Sequence, residues 1–307
     1  MTPLPDSFVA LAANGPDWAA WLDRLPGLMR DLLEEWSLTP DGEATHGNTA
    51  VVVPVRTADD EAAVLKIGWP HWEAEHEALA LQTWGGRGAV RLLRADPKRF
   101  ALLLERLHTE DLSELWDVQA CEIVGGFYRR LHVPAPPQLR TLSAQAARWA
   151  SELGEKERRL PVPPRMVEQA RAIARDFAVD EATDGTLIHT DLHYANVLRH
   201  SVLQGDREEW LVIDPKPLSG DPHYELAPML WNRFDEYAGR IRDGIRDRFF
   251  ALVDAAELDE DRARAWAVLR LVVNVKGELE DNRTPDKAGP DKEWITAMIS
   301  VAKAVQD

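Results

Sequence analysis

His189-Thr190-Asp191-Leu192-His193-Tyr194-Ala195-Asn196, followed by Val197 and Leu198, is the most specific stretch of this 307-residue chain. It leaves a short apolar run at residues 186–189. An aspartate and an asparagine five positions apart then sit in a loop between apolar segments. A second such run, Trp210-Leu211-Val212-Ile213, ends on Asp214-Pro215, and a third, Val64-Leu65-Lys66-Ile67, places a lysine inside a β-prone segment. Each piece has an ordinary structural explanation. An aspartate closing a strand is commonly a turn residue, and a strand lysine commonly snorkels from an edge. Their order along the chain and the elements that carry them set the three apart from these ordinary cases.

Upstream of Lys66, residues 17–36 carry Trp18, Trp21, Leu22, Leu25, Leu28, Met29, Leu32, Leu33 and Trp36 at near-helical spacing, with Pro26 expected to split them into two helices. Residues 50–56 and 62–67 read as a hairpin across the polar turn at 57–61. Residues 72–84 read as a helix. Residues 89–94 and 100–104 read as strands joined by Asp96-Pro97-Lys98. Together these make a small antiparallel sheet with one helix packed on it. Beyond Glu105 the chain turns mostly helical, at 117–131, 143–159 and 164–177, with four more helices after Tyr224. The fold class is therefore α+β, with a β-rich lobe at residues 1–107 and a larger helical lobe at 108–307.

Composition narrows the classes of function. The net charge of −16 opposes binding to nucleic acid or to anionic membranes, while an acidic surface suits a cationic small molecule or simply keeps the chain soluble. The single cysteine, Cys121, excludes an internal disulfide and reads as a buried small hydrophobe. The chain shows no secretory signal and no uncharged stretch near the about 20 residues a membrane helix needs, so a cytoplasmic protein is expected, as monomer or homodimer.

Phosphoryl transfer explains why these residue types occur together. Its loose transition state spreads charge over the phosphoryl oxygens, so catalysis is mostly positioning and neutralisation. Magnesium takes oxygen ligands, one or two from protein, which Asn196 and Asp214 can supply. Asp191 is the separate carboxylate that aligns an acceptor hydroxyl and takes its proton. Lys66 neutralises nucleotide phosphates, with an acidic residue of the following helix to hold it. His189 and His193 around Asp191 could suggest zinc, but catalytic zinc wants three protein ligands and no cysteine lies nearby.

These residues resemble the aminoglycoside phosphotransferase family of the protein-kinase-like superfold. The catalytic-loop pattern is His189-x-Asp191-x-x-x-x-Asn196, and Ile213-Asp214-Pro215 matches the segment that replaces the protein-kinase Asp-Phe-Gly. Residues 213–228, 230–233 and 86–93 look like the streptomycin 6-kinase and hydroxyurea phosphotransferase branch, and the likeness spans roughly residues 43–282. It implies a two-lobed fold, ATP (with GTP not excluded) and Mg2+. Asp191 would be the base and Asn196 and Asp214 the metal ligands. Lys66 would sit on the phosphates, paired with Glu77, with Glu73 the runner-up. Glu105-Arg106-Leu107 would be the hinge whose backbone meets the nucleobase. The glycine-rich loop is reduced to His46-Gly47-Asn48-Thr49-Ala50, leaving Gly47, Asn48 and Thr49 for the phosphates. Thr190 and Ala195 stand where relatives often carry glycine, and Glu225 where they often carry aspartate.

The same resemblance places the acceptor among Trp231, Asn232, Asp235 and Glu236 and the helix containing Glu278, where carboxylates and an aromatic face would suit a cationic ligand or a sugar ring. The leading expectation is an aminoglycoside kinase, with streptomycin at its 6-hydroxyl the named substrate. The alternatives are a kinase of another amino sugar or hydroxylated metabolite, and a catalytically inactive nucleotide-binding pseudokinase.

Overall fold

The N-terminal apolar stripe folds into α1 (Asp6–Val9), a 3-10 turn at Ala10–Asn14 and one continuous helix, α2 (Pro16–Glu35). The expected break at Pro26 does not occur. A proline inside a helix costs about 3 kcal/mol, but Trp21, Leu22, Leu25, Met29 and Leu32 are all buried along one face of α2. At roughly 1.5–3 kcal/mol per buried large side chain, that face outweighs the missing hydrogen bond.

The computed structural model describes residues 3–156, 160–200, 209–281 and 291–306. They form two units, Met1–Glu110 with Leu198–Lys216, and Asp111–Val197 with Pro217–Asp307. The segment bearing Asp214 thus joins the first unit although it lies far beyond residue 107.

In the first unit the strands are β1 (Thr39–Pro40), β2 (Thr45–His46), β3 (Ala50–Arg56) and β4 (Ala62–Gly68). β3 and β4 pair antiparallel from Ala50↔Gly68 to Arg56↔Ala62, and Thr57 N–H bonds Glu61 C=O to close the turn. Helix α3 (Glu77–Trp84) starts five residues later than its composition suggests. The N–H groups of Ala74 and Glu77 turn back only three residues, to His71 and Ala74, so no helical ladder begins before Glu77. β5 (Leu92–Asp96) also starts later than expected and meets β6 (Ala101–Glu105) through the 3-10 turn Pro97–Arg99. The sheet order is β1-β3-β4-β6-β5, with β2 paired to β3. Alternation along β4 sends Ala63, Leu65 and Ile67 into the core shared with α2 and puts Lys66 on the other face.

The second unit contains α4 (Asp117–Leu131), the short edge strand β7 (Val133–Pro134), α5 (Leu142–Lys156), α6 (Pro164–Phe177) and β8 (Thr186–Ile188). The expected end of α5, at residues 157–159, lies outside the described residues. The chain then runs through β9 (Val197–Arg199) and β10 (Trp210–Val212), a pair belonging almost wholly to the first unit. It returns with β11 (Leu218–Gly220), α7 (Ala227–Trp231), α8 (Ile241–Ala256), α9 (Glu260–Asp281) and α10 (Lys292–Ala304). β8 lies between β11 and β7. Gly125 lets α4 approach α8 closely, since a Cβ there would lie 2.6 Å from that of Ala255. Cys121, on the same helix, is fully buried, and burial pushes its thiol up to about 12. Among the described residues no helix is long and apolar enough to cross a membrane.

Candidate active site

In the first unit, Lys66 stands mid-strand with Val52 and Leu102 as its cross-strand neighbours. Its ammonium donates to Glu77 Oε1 at 2.6 Å and to Asp214 Oδ1. Glu77 opens α3, where a carboxylate also meets the positive end of the helix dipole. Burial works against the Lys66 charge, but Asp214 and then Glu77 outweigh it and hold the amine protonated above its ordinary range. Burial pushes the Glu77 carboxyl up to about 7, with Lys66 pulling it down and Asp214 adding to the rise. Glu73 is not part of this cluster and lies 3.9 Å from His71.

Asp214 is fixed by its backbone. β10 is tied to the 88–90 segment by Val90 N–H to Val212 O (2.9 Å) and Val212 N–H to Gly88 O (3.0 Å). Two residues later Asp214 takes a left-handed φ of 57°, which a short polar side chain tolerates. Its side chain is 46% exposed, against 12% for Lys66, so the carboxylate has access to ligand as well as to the lysine.

The loop from His46 to Ala50 is a tight turn between β2 and β3, closed by Gly47 N–H to Ala50 O at 2.9 Å. Among the described residues the N–H groups of Asn48 and Thr49 have no protein acceptor, an arrangement that can meet an anion. Glu105 is committed inside the unit. Its carboxylate accepts from Arg91 N–H at 2.7 Å, and its own N–H bonds Arg91 O. Arg106 turns back along the sheet to Asp41 and to the carbonyls of Val55 and Ala63, while Leu107 is half-buried.

In the second unit, the catalytic-type loop is pinned through its main chain. Thr190 has a left-handed φ of 64°, a conformation costing about 1–2 kcal/mol for a residue with a Cβ and open to glycine without penalty. Two groups hold it there. Its N–H donates to Glu225 Oε1 at 2.6 Å, and its C=O accepts from Arg270, which also bonds Tyr224 O at 3.0 Å. Glu225 is fully buried, and its other oxygen meets His132 Nε2 at 2.7 Å. Burial opposes its charge, yet His132, His189 and the Thr190 N–H together hold it below its ordinary value. Glu225 thus spans from His132, at the C-terminal cap of α4, to the loop.

Asp191 N–H bonds the buried His189 at Nδ1 (3.2 Å). Asn196 uses its amide N–H on Asp191 O (2.8 Å), with His193 Nε2 at 3.2 Å. Its Oδ1 has no hydrogen bond among the described residues, so the atom a metal would want remains available. His189 and His193 both serve the loop itself.

Of the acceptor candidates, the Asn232 carbonyl and Glu236 share one partner, Arg248. Trp231 is half-buried, with Arg270 5.2 Å from its ring centre. Asn232 Nδ2 bonds Pro228 O, and its carbonyl accepts from Arg248. Asp235 is exposed. Glu236 is held by Arg233 at 2.6 Å and Arg248 at 3.1 Å. Glu278, on α9, accepts from Asp291 N–H at 3.3 Å. Sequence reading missed Arg270, His132 and the buried Arg248. They act at separations of 80, 93 and 131 residues from their partners Thr190, Glu225 and Asp117, and no local pattern marks them.

Solved structures show the same architecture. A choline/ethanolamine kinase family protein from Mesorhizobium loti superposes with a TM-score of 0.60 at 13% identity, covering 91% of this chain and 95% of that one. The aminoglycoside phosphotransferase APH(4)-Ia, solved as a thermostable mutant with ADP and hygromycin B, gives 0.53 at 15% identity over 90% and 97%. Fold and motifs define a phosphotransferase of the protein-kinase-like class. The chain belongs to the aminoglycoside/hydroxyurea antibiotic resistance kinase family, whose model matches residues 35–276. It is 39% identical over 303 residues to a hydroxyurea phosphotransferase of Kitasatospora aureofaciens, covering 96% of this chain and 84% of that protein. It is 38% identical over 281 residues to a streptomycin 6-kinase of Streptomyces griseus, covering 89% of each.

Proposed function

We propose that this chain transfers the γ-phosphate of ATP to a hydroxyl of an aminoglycoside, with the 6-hydroxyl of streptomycin as the acceptor, in the cytoplasm. The observation that carries the reading is the buried Lys66 ammonium held by Glu77 and Asp214. Burying such charges costs several kcal/mol per ion, and a well-packed apolar set would serve the fold as well. A cationic group in an antiparallel sheet, poised for phosphate oxygens, has a reason to be there. Identity of 38% to a streptomycin 6-kinase supports the acceptor. A hydroxyurea-type acceptor is the second reading, favoured by the 39% identity to a hydroxyurea phosphotransferase.

In this reading Lys66 neutralises the α- and β-phosphates and Glu77 fixes its position. The Gly47, Asn48 and Thr49 backbone approaches the phosphates, and the main chain at Glu105 and Leu107 meets the nucleobase. The Asp214 carboxylate and Asn196 Oδ1 are oxygen donors of the kind Mg2+ takes, and the ion supplies neutralisation of the charge on the transferring group. Asp191 aligns the acceptor hydroxyl and receives its proton. Trp231, Asn232, Asp235 and Glu278 remain the acceptor-side candidates.

A magnesium-dependent ATP-consumption assay against streptomycin, hydroxyurea and other aminoglycosides tests both readings. Asp191→Ala should lower kcat on the best acceptor about 10²–10⁴-fold and leave Mg-ATP affinity unchanged. No acceleration by streptomycin would remove it as the acceptor. Near-wild-type turnover in Asp191→Ala would remove the base.

A further inference from the structure

We propose that Ser7 and His46 are positioning residues for nucleotide binding, through which the N-terminal helices hold the 46–50 loop in its working shape. The inference rests on the reading of that loop given above. The family match begins at residue 35, so α1 and almost all of α2 precede it, yet they grip the loop at both ends. At the opening end, His46 Nδ1 lies 2.8 Å from Gly47 O and its Nε2 lies 2.7 Å from Ser7 Oγ of α1. The nitrogen facing a carbonyl must carry hydrogen. The other accepts from the serine hydroxyl when the ring is neutral and donates to it when charged, so the link survives in either state. Beside it Phe8 is fully buried, its ring 5.1 Å from that of His46 and edge-on to Trp18 and Trp21. At the closing end, Trp18 of α2 stacks on Trp69 at 4.8 Å and 4°, and Trp69 N–H bonds Thr49 O at 2.7 Å.

The two gripped carbonyls bracket Asn48, whose N–H and that of Thr49 are the donors left for an anion. A loop with one glycine keeps those donors aimed only if something else fixes it, and preorganised donors bind more tightly than mobile ones. Gly47 itself has room: a Cβ there would touch nothing within 4 Å, and its φ is not left-handed. Bulk at 47 therefore reports on an incoming ligand and not on the fold.

The test compares Mg-ATP binding by calorimetry, steady-state kinetics and melting temperature for Ser7→Ala, Ser7→Thr, His46→Phe and Gly47→Val. Ser7→Ala should weaken Mg-ATP about threefold to fivefold and His46→Phe about tenfold, with kcat and the acceptor KM unchanged, and Ser7→Thr should restore affinity. Gly47→Val should weaken Mg-ATP without lowering the melting temperature. If Gly47→Val binds poorly while Ser7→Ala and His46→Phe stay within twofold of wild type, the loop reading stands and the positioning role falls. If Gly47→Val also binds normally, the loop reading fails and takes the positioning role with it. Parallel losses in melting temperature and acceptor KM would make the contacts merely structural.

Discussion

Glu77 and Glu225 are both buried carboxylates, 6% and 0% exposed, and they respond to burial in opposite ways. Burial carries Glu77 up to about 7, whereas Glu225 is held below its ordinary value. The difference lies in their partners. Glu77 meets one ammonium, and that ammonium also serves Asp214, a second negative group. Glu225 has a donor on each oxygen, the Thr190 N–H and His132. A carboxylate with two private donors is a fixture. One that shares its cation can change its share when phosphate oxygens or a metal arrive, which suits the role proposed for Lys66 on nucleotide phosphates.

The largest expected effect contrasts the two by deletion. Glu225→Ala strands His132 and the Thr190 N–H in a buried place and should destabilise the protein by about 3–5 kcal/mol. Glu77→Ala leaves Lys66 with Asp214 and should cost only about 1–2 kcal/mol. Urea unfolding of the two variants decides it, and equal losses would break the contrast between fixture and shared partner.

Next in size is the pH dependence, whose signs should differ. Glu77 has its folded value raised, from an ordinary 4.5 to about 7. Its contribution is therefore full below about pH 4.5 and lost as pH rises through 7, an effect of roughly 3 kcal/mol. Glu225 has its folded value lowered from 4.5, so its contribution is present above about pH 4.5 and lost as pH falls below it. Against wild type, Glu77→Gln should gain relative stability on the alkaline side and Glu225→Gln should lose its deficit on the acid side. Unfolding midpoints measured from about pH 3 to 8.5 would show this. Shifts in the same direction for both would sink it.

The contrast also explains what the sequence made legible. Lys66, Asp191, Asn196 and Asp214 lie in short, ordered motifs, and the hairpin at 50–68, α4 and α6 follow from periodicity. Alternation and helical spacing are local, so they survive in the chain. The α2 helix across Pro26 did not follow, because the burial that overrides proline comes from residues folded onto it. The start of α3 did not follow either, because turns at 71–77 compete with a helix-prone composition. The brace on Thr190 depends on residues 35 and 80 positions away. Glu225 could be flagged as a departure, but its work as a pin required the fold.

The smallest effect sharpens the fixture side of the comparison. Replacing a buried threonine with glycine normally loses a buried methyl, at about 0.8 kcal/mol, and adds about 0.5–1 kcal/mol of chain entropy to the unfolded state. At Thr183, fully buried and absent from the left-handed residues, both losses apply, so Thr183→Gly should cost about 1–2 kcal/mol. At Thr190 the same losses are offset by relief of about 1–2 kcal/mol of left-handed strain. Thr190→Gly should therefore sit within about 1 kcal/mol of wild type. The Glu225 and Arg270 bonds to the main chain need no side chain at 190, so the pin should outlast the substitution and kcat should change less than in Glu225→Ala. If Thr190→Gly is as costly as Thr183→Gly, the left-handed strain is not there to be relieved. If it instead loses as much kcat as Glu225→Ala, the threonine side chain, and not the pin on its backbone, is what shapes the loop.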